Sequence, residues 1–123
     1  MTQWTKDELQ KISDTDDLHI SPFRDDGTTY GTPTWIWSVV VNNTVYVRPY
    51  NGEKSRWFQA ALKQKSGRIT AGGITKEVAF EKAEDAVNDQ VNEAYSAKYS
   101  CSPYVTAMID KRLRPTTMAV SPR

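Results

Sequence analysis

One cysteine and one histidine occur in 123 residues, and that scarcity removes whole classes of chemistry. A single thiol, Cys101, cannot build an internal disulfide framework, and a lone imidazole, His19, excludes His-rich metal sites. Any Ser–His or Cys–His nucleophile pair would have to use His19. That residue stands between Leu18 and Ile20 in a predicted strand, where alternation points it away from both. Cys101 follows a helix end, away from the amide dipole that activates a thiolate. Net charge is nearly missing too. Sixteen Lys+Arg against fifteen Asp+Glu leave +1, too little for a general nucleic-acid binder. No apolar run approaches the roughly 18 residues of a membrane span, and the stretch from Met1 to Asp7 lacks the basic-then-apolar layout of a secretion signal. The expectation is a soluble, cytoplasmic protein with neither nucleic-acid nor membrane partners.

Two further motifs are incomplete. Gly72-Gly73 lacks both Walker and dinucleotide spacing and reads as a tight turn. Asp14, Asp16 and Asp17 lack the spacing and the late Glu of a calcium loop, so they read as an exposed acidic turn. No self-sufficient catalytic constellation and no metal site emerge.

Leucine is scarce as well. Four Leu stand against ten Val, six Ile and thirteen Thr, with four Trp and six Tyr. Branched and aromatic side chains suit a pleated, half-buried surface better than a helical bundle. The length suits one domain over residues 1–123, and the composition predicts a mainly β fold with some helices.

Along the chain, Thr5 and Glu8 have capping-box spacing and open a short helix over 5–12. Residues 18–20 read as a strand, and Arg24-Asp25-Asp26-Gly27 as a turn. The strongest strand signal covers 34–41; Asn42-Asn43 turns it back into 44–48. A helix follows over 55–65, with Ser55 as its cap and Gly67 as its terminator. Residues 68–71 and 74–81 form a second hairpin around Gly72-Gly73. The longest helix is expected over 83–99, a further helical turn over 103–110, and a last strand over 116–121. Five to seven strands in hairpins, interrupted by helices, predict a small antiparallel barrel in the α+β class.

Charge is unevenly spread. Residues 1–27 carry Lys6, Lys11 and Arg24 against seven acids, a local −4; residues 48–68 carry six basic residues against Glu53 alone, a local +5. Arg48 closes a strand, while Lys54, Ser55 and Arg56 sit where a helix begins. A helix start presents free amides and the positive dipole end to an anion, and an arginine fork adds bidentate contacts. Trp35, Trp37, Tyr46, Tyr50 and Trp57 flank the same place. Cations beside flat rings suit a phosphorylated aromatic ligand; core rings beside solvated charges are the alternative.

In these residues the chain resembles the FMN-binding split β-barrels related to pyridoxamine phosphate oxidase and the deazaflavin-dependent nitroreductases. The matching pieces are Gly31-Thr32-Pro33-Thr34-Trp35, Tyr46-Val47-Arg48, Gly52-Glu53-Lys54-Ser55-Arg56 and Gly67-Arg68-Ile69, covering roughly residues 28–80. Over nearly its whole length it resembles a bacterial family of unknown function. Thr32-Pro33-Thr34-Trp35-Ile36-Trp37, Ser55-Arg56-Trp57, Tyr95-Ser96-Ala97-Lys98-Tyr99 and Ser102-Pro103-Tyr104 carry that likeness. The resemblance implies a split barrel that pairs as a homodimer and holds FMN or a deazaflavin between subunits. It places Arg48, Lys54, Ser55 and Arg56 near the phosphate, with Thr34, Trp35 and Ile36 near the ring system, and it implies oxidoreductase chemistry. Trp35 and Trp37 are bulky enough to fill such a slot. A non-enzymatic small-ligand-binding or structural protein on the same scaffold is therefore the alternative.

Overall fold

Valines at 39–41 and at 45 and 47, with two asparagines between them, build the first hairpin. In the computed structural model, which describes residues 4–15, 17–50, 52–100 and 102–123, Ser38–Val41 (β3) pairs antiparallel with Thr44–Val47 (β4). Asn42 and Asn43 adopt φ of 51° and 65°, the left-handed pair that a two-residue turn between twisted strands requires. Asparagine tolerates this conformation better than most residues do. A second hairpin joins Ser66–Ala71 (β5) to Ile74–Lys82 (β6) through Gly72 and Gly73.

His19–Pro22 (β1), Thr34–Trp35 (β2) and Met118–Pro122 (β7) complete a seven-stranded antiparallel sheet, with order β2-β1-β5-β6-β7-β4-β3. The expected strand over 34–41 is therefore broken. Its halves, β2 and β3, lie at opposite edges of the sheet, and only Ile36 and Trp37 separate them. Seven strands laid flat would put those edges about 29 Å apart, whereas the link from Trp35 to Ser38 reaches at most about 11 Å. The sheet must curl into a split barrel. The break has a tertiary cause: the Ile36 amide donates to the Leu18 carbonyl at 3.0 Å, and the Trp37 carbonyl accepts from the Tyr95 hydroxyl at 3.2 Å.

Lys6–Asp14 (α1) begins with both hydrogen bonds of the Thr5–Glu8 capping box. Arg56–Gln64 (α2) follows a 3₁₀ turn at Gly52–Lys54. Lys65 ends α2 in the left-handed conformation, φ 60°, so Gly67 is not its terminator. Gly67 lies inside β5, where a Cβ would stand 2.4 Å from the Ser21 carbonyl oxygen; the glycine is there for close strand approach. The long helix also starts late. Asp85–Val87 is a 3₁₀ turn and Asn88–Lys98 (α3) is the helix proper. Val105–Met108 (α4) and the 3₁₀ segment Lys111–Thr116 lead into β7.

Two cores result. The barrel interior holds Leu18, Ile20, Val45, Val47, Ile69, Val78, Phe80 and Val120, closed by Leu9 and Ile12 of α1 and Phe58 and Ala61 of α2. Val39, Val91, Tyr95, Tyr99, Met108 and Leu113 form the second core, with Tyr46 packed against it. Period-two alternation divides β4 between them. Among the described residues, no helix is long and apolar enough to cross a membrane.

Candidate functional site

A cavity of about 520 Å³ opens where the β2–β3 link, the end of β4, the start of α2 and α4 meet. Its walls hold Thr34, Trp35, Ile36 and Trp37 from the link region, and Arg48 and Tyr50 from the end of β4. Ser55, Arg56 and Trp57 come from the start of α2, and Tyr104 and Met108 from the α4 region. Six of the seven residues singled out from the sequence therefore share one wall system: Thr34, Trp35, Ile36, Arg48, Ser55 and Arg56. The seventh, Lys54, is exposed on the preceding 3₁₀ turn and does not line the cavity. A smaller recess of about 390 Å³, lined by Tyr46, Glu81, Lys82, Glu84 and Gln90 among others, lies apart from it and mixes both charge signs.

Sequence reasoning had no means of placing Tyr104 and Met108, which lie about fifty residues beyond the helix start and arrive only through packing of α4. Tyr46, grouped with the flanking rings by its position in the chain, belongs instead to the second core. His19 does not line the cavity; its Nδ1 donates to the Asp17 carbonyl at 2.7 Å. Cys101 and Asp16 lie outside the described residues.

Arg48 departs furthest from expectation. Its side chain is fully buried. Nε donates to Thr117 Oγ1 at 2.8 Å, and Nη1 donates to Asn92 Oδ1 at 2.5 Å and to the Met108 carbonyl at 2.9 Å. Nη2 reaches Asn88 Oδ1 at 3.1 Å and the Asn88 carbonyl at 3.5 Å. A guanidinium has five N–H donors, so this set leaves none for a ligand. Every acceptor is a neutral oxygen. Burial pushes the Arg48 pKa below its usual value, and nearby Arg114 acts in the same direction. An arginine nevertheless stays protonated in proteins. Arg48 thus bolts β4 to α3, α4 and the approach to β7, and it leaves an unneutralised positive charge in the cavity wall.

The start of α2 adds to that potential. Ser55 occupies the cap position, but its hydroxyl makes no capping bond, and the first turn carries no acid. Among the described residues no side chain is seen to cap the opening amides of α2, and Arg56 is exposed beside them. Among the eleven lining residues there are five aromatic rings and two guanidinium groups, but no carboxylate, imidazole, amine or thiol. Trp37 is held rigid: its ring stacks on Tyr99 with centroids 3.9 Å apart and planes 3° from parallel. The arrangement can bind a flat anionic molecule. For proton transfer it offers only the hydroxyls of Tyr50, Tyr104, Ser55 and Thr34.

Comparison with known proteins sets this geometry in context. The fold is similar to that of the conserved hypothetical protein Rv2991 from Mycobacterium tuberculosis, with a TM-score of 0.63. The alignment covers 98% of this chain and 80% of that one at 13% identity, a likeness of fold alone. No curated protein matches the sequence. A family of uncharacterised proteins conserved in bacteria, DUF2255, matches residues 8–120, and the chain belongs to that family.

Proposed function

We propose that the cavity binds a flat ring system carrying a phosphate, of the FMN or deazaflavin class, and that the protein acts as an oxidoreductase through it. One observation carries the reading: five rings and two cations line a single cavity that contains no acid. Its volume of about 520 Å³ falls within the usual range for small-ligand sites, roughly 300–1,000 Å³. Ser55, Arg56 and the open amides of α2 would hold the phosphate, with Arg48 adding potential without contact and Lys54 adding charge outside the cavity. Thr34, Trp35 and Ile36 would face the ring system. When bound, such a cofactor supplies the hydride chemistry, so the protein needs only to position it and tune its electrostatics. A cavity whose described lining residues offer no general acid or base beyond hydroxyl groups is consistent with that division of labour.

A second reading has its own support. The same lack of acid–base groups suits a non-enzymatic binding protein, and Trp37, stacked on Tyr99, puts a bulky ring in the cavity wall.

Paired titrations separate the two. FMN should quench tryptophan fluorescence with a Kd no weaker than tens of micromolar, a rough threshold for a specific site. Riboflavin, which lacks the phosphate, should bind about 10–100-fold more weakly, the worth of one charge-assisted hydrogen-bond set. Arg56→Ala should bring FMN close to riboflavin. Absence of saturable binding by FMN and by a deazaflavin would defeat the cofactor reading. Tight binding without reduction of the bound ring by a nicotinamide donor or by dithionite would favour the non-enzymatic one.

A further inference from the structure

Opposite charges placed face to face on neighbouring strands normally attract and pair. Arg68 of β5 and Glu77 of β6 stand directly opposite in the sheet register, yet among the described residues no ion pair joins them. The Glu77 carboxylate accepts instead from the Tyr30 hydroxyl. The Arg68 guanidinium lies over the Tyr30 ring, 3.5 Å from its centroid. Tyr30 packs in turn on Phe23, with centroids 4.9 Å apart and planes 30° apart, and the Arg123 guanidinium lies 5.9 Å from the Phe23 centroid. Arg24 is tied to the same place: its Nε donates to the Tyr30 carbonyl and its Nη2 to Thr32 Oγ1, both at 3.3 Å. The Glu77 bond raises the Tyr30 pKa, and Arg68 and Arg123, both near enough to act on that hydroxyl, pull against it.

We propose that Arg68 is the contact residue of an anion site on this patch, and that the site takes the phosphate group of a phosphate monoester. The ring of Tyr30 covers a face of the Arg68 guanidinium, whereas the N–H donors all lie in the guanidinium plane. Stacking therefore orients the fork without using it. Arg68 is half-buried, and among the described residues none of its donors meets an acceptor. Three guanidinium groups gather here, and the acids close to them in the chain are already engaged. Asp25 pairs with Lys63, and Asp26 accepts from the Thr28 and Thr29 amides. Glu77 alone opposes the three. The fork fits two oxygens of a carboxylate or of a phosphate, so charge decides between them. Attraction from Arg24 and Arg123 grows in proportion to the charge on the ligand, and a phosphate monoester carries about −1.5 to −2 at pH 7. No residue of this patch lines the 520 Å³ cavity. The site is thus separate from the one proposed for the cofactor, and it stands whether or not a flavin binds there.

Inorganic phosphate is the simplest probe, titrated into the whole protein at constant ionic strength and followed by NMR of the Arg68 Nε–H group and the β5 backbone amides. The shifts should saturate with a Kd on the order of 1 mM. Acetate, with one charge, should bind at least about fivefold more weakly. Arg68→Lys keeps the charge and loses the planar fork, so phosphate affinity should fall roughly tenfold. Glu77→Gln removes the opposing charge and should tighten binding about twofold to threefold, a gain that a misfolded variant cannot produce. Arg56→Ala should leave the β5 shifts as in the wild type, while Arg68→Lys should leave the difference between FMN and riboflavin unchanged, so failure of one site is distinguishable from failure of the other. No saturable shift by about 20 mM phosphate, acetate binding as tightly as phosphate, or wild-type affinity in a folded Arg68→Lys protein would each overturn the inference.

Discussion

Replacing Arg48 with methionine sets two effects of comparable size against each other. Methionine keeps most of the buried stem and removes all five donors. The Asn92 side-chain carbonyl and the Met108 backbone carbonyl then lose the Arg48 donor. Asn88 Oδ1 is partly spared, because it also accepts from Thr117 Oγ1 at 2.7 Å. Orphaning one buried acceptor and one half-buried acceptor costs about 2–4 kcal/mol. Opposing this, the variant no longer buries a charge, whose effective desolvation penalty is several kcal/mol. That relief is partial, since the five bonds in the native protein already offset most of it. A net loss of about 2–3 kcal/mol should follow, lowering Tm by roughly 6–15 °C in a domain of this size. The variant should also weaken anion binding. A sphere of about 520 Å³ is about 10 Å across; at an effective dielectric constant near 20, one unit charge at that distance is worth ~1.7 kcal/mol. Screening by water at the open mouth reduces this to a roughly threefold to tenfold loss in FMN affinity, with riboflavin unaffected. Thermal unfolding and the paired titrations read both effects. Equal or greater stability in Arg48→Met would refute the bolt, and equal loss of FMN and riboflavin affinity would refute the electrostatic role.

Other positions give sharper but simpler tests. Gly67→Ala places a methyl 2.4 Å from the Ser21 carbonyl and 2.6 Å from Pro22 Cα, so urea unfolding should show a loss of about 3 kcal/mol; an unchanged midpoint would mean that β1 and β5 are not so closely paired. Lys98 Nζ donates to the Ile12 carbonyl at 3.1 Å and the Ser38 carbonyl at 2.8 Å. Lys98→Met should cost about 1.5–3 kcal/mol in the same assay, and a neutral result would show that this tie between α1, β3 and α3 carries no weight. The Asp26 carboxylate is pulled down to about 2 from 3.8, first by the Thr29 hydroxyl and then by the Thr29 and Thr28 amides. A depressed carboxylate stabilises the fold above its unfolded pKa, and that contribution disappears as pH falls through the folded one. Stability should therefore decline between about pH 4 and pH 2, less steeply in Asp26→Asn, and a carbon-detected NMR titration of Asp26 with a midpoint near 4 would contradict the turn geometry.

What could be read without coordinates was local. Thr5 and Glu8 are three residues apart, and their reciprocal bonds follow from that spacing alone. The Asn42-Asn43 hairpin likewise needs only two residues and the alternation on either side. The 34–41 break was not readable, because it depends on Leu18 and Tyr95 capturing the backbone of residues 36 and 37 from remote positions. Gly67 misled for a similar reason: its role comes from β1 passing close by, and Lys65 takes the strained helix-end conformation that glycine usually fills. Arg48 was expected at a strand end, in contact with a phosphate. Its burial depends on Asn88, Asn92, Met108 and Thr117, all at least forty residues away, arriving together. Of the six basic residues in 48–68, only Arg48 and Arg56 reach the cavity wall, and Arg48 does so with every donor already taken.

The two-residue link at Ile36 and Trp37 has a consequence for folding and binding alike. A barrel whose neighbouring strands sit at opposite edges has a seam, and here both seam residues also face the cavity. Closing the seam and forming the cavity are then one event. Any molecule that rests against Ile36 and Trp37 binds only the closed form, and so stabilises closure by mass action. Hydrogen exchange at the Ile36 amide, whose bond to Leu18 continues the β1–β2 pairing at the edge of the seam, would report loosening there. Slower exchange in the presence of ligand would show occupancy and architecture to be coupled at a single backbone bond; exchange indifferent to a saturating ligand would show the seam and the site to be independent.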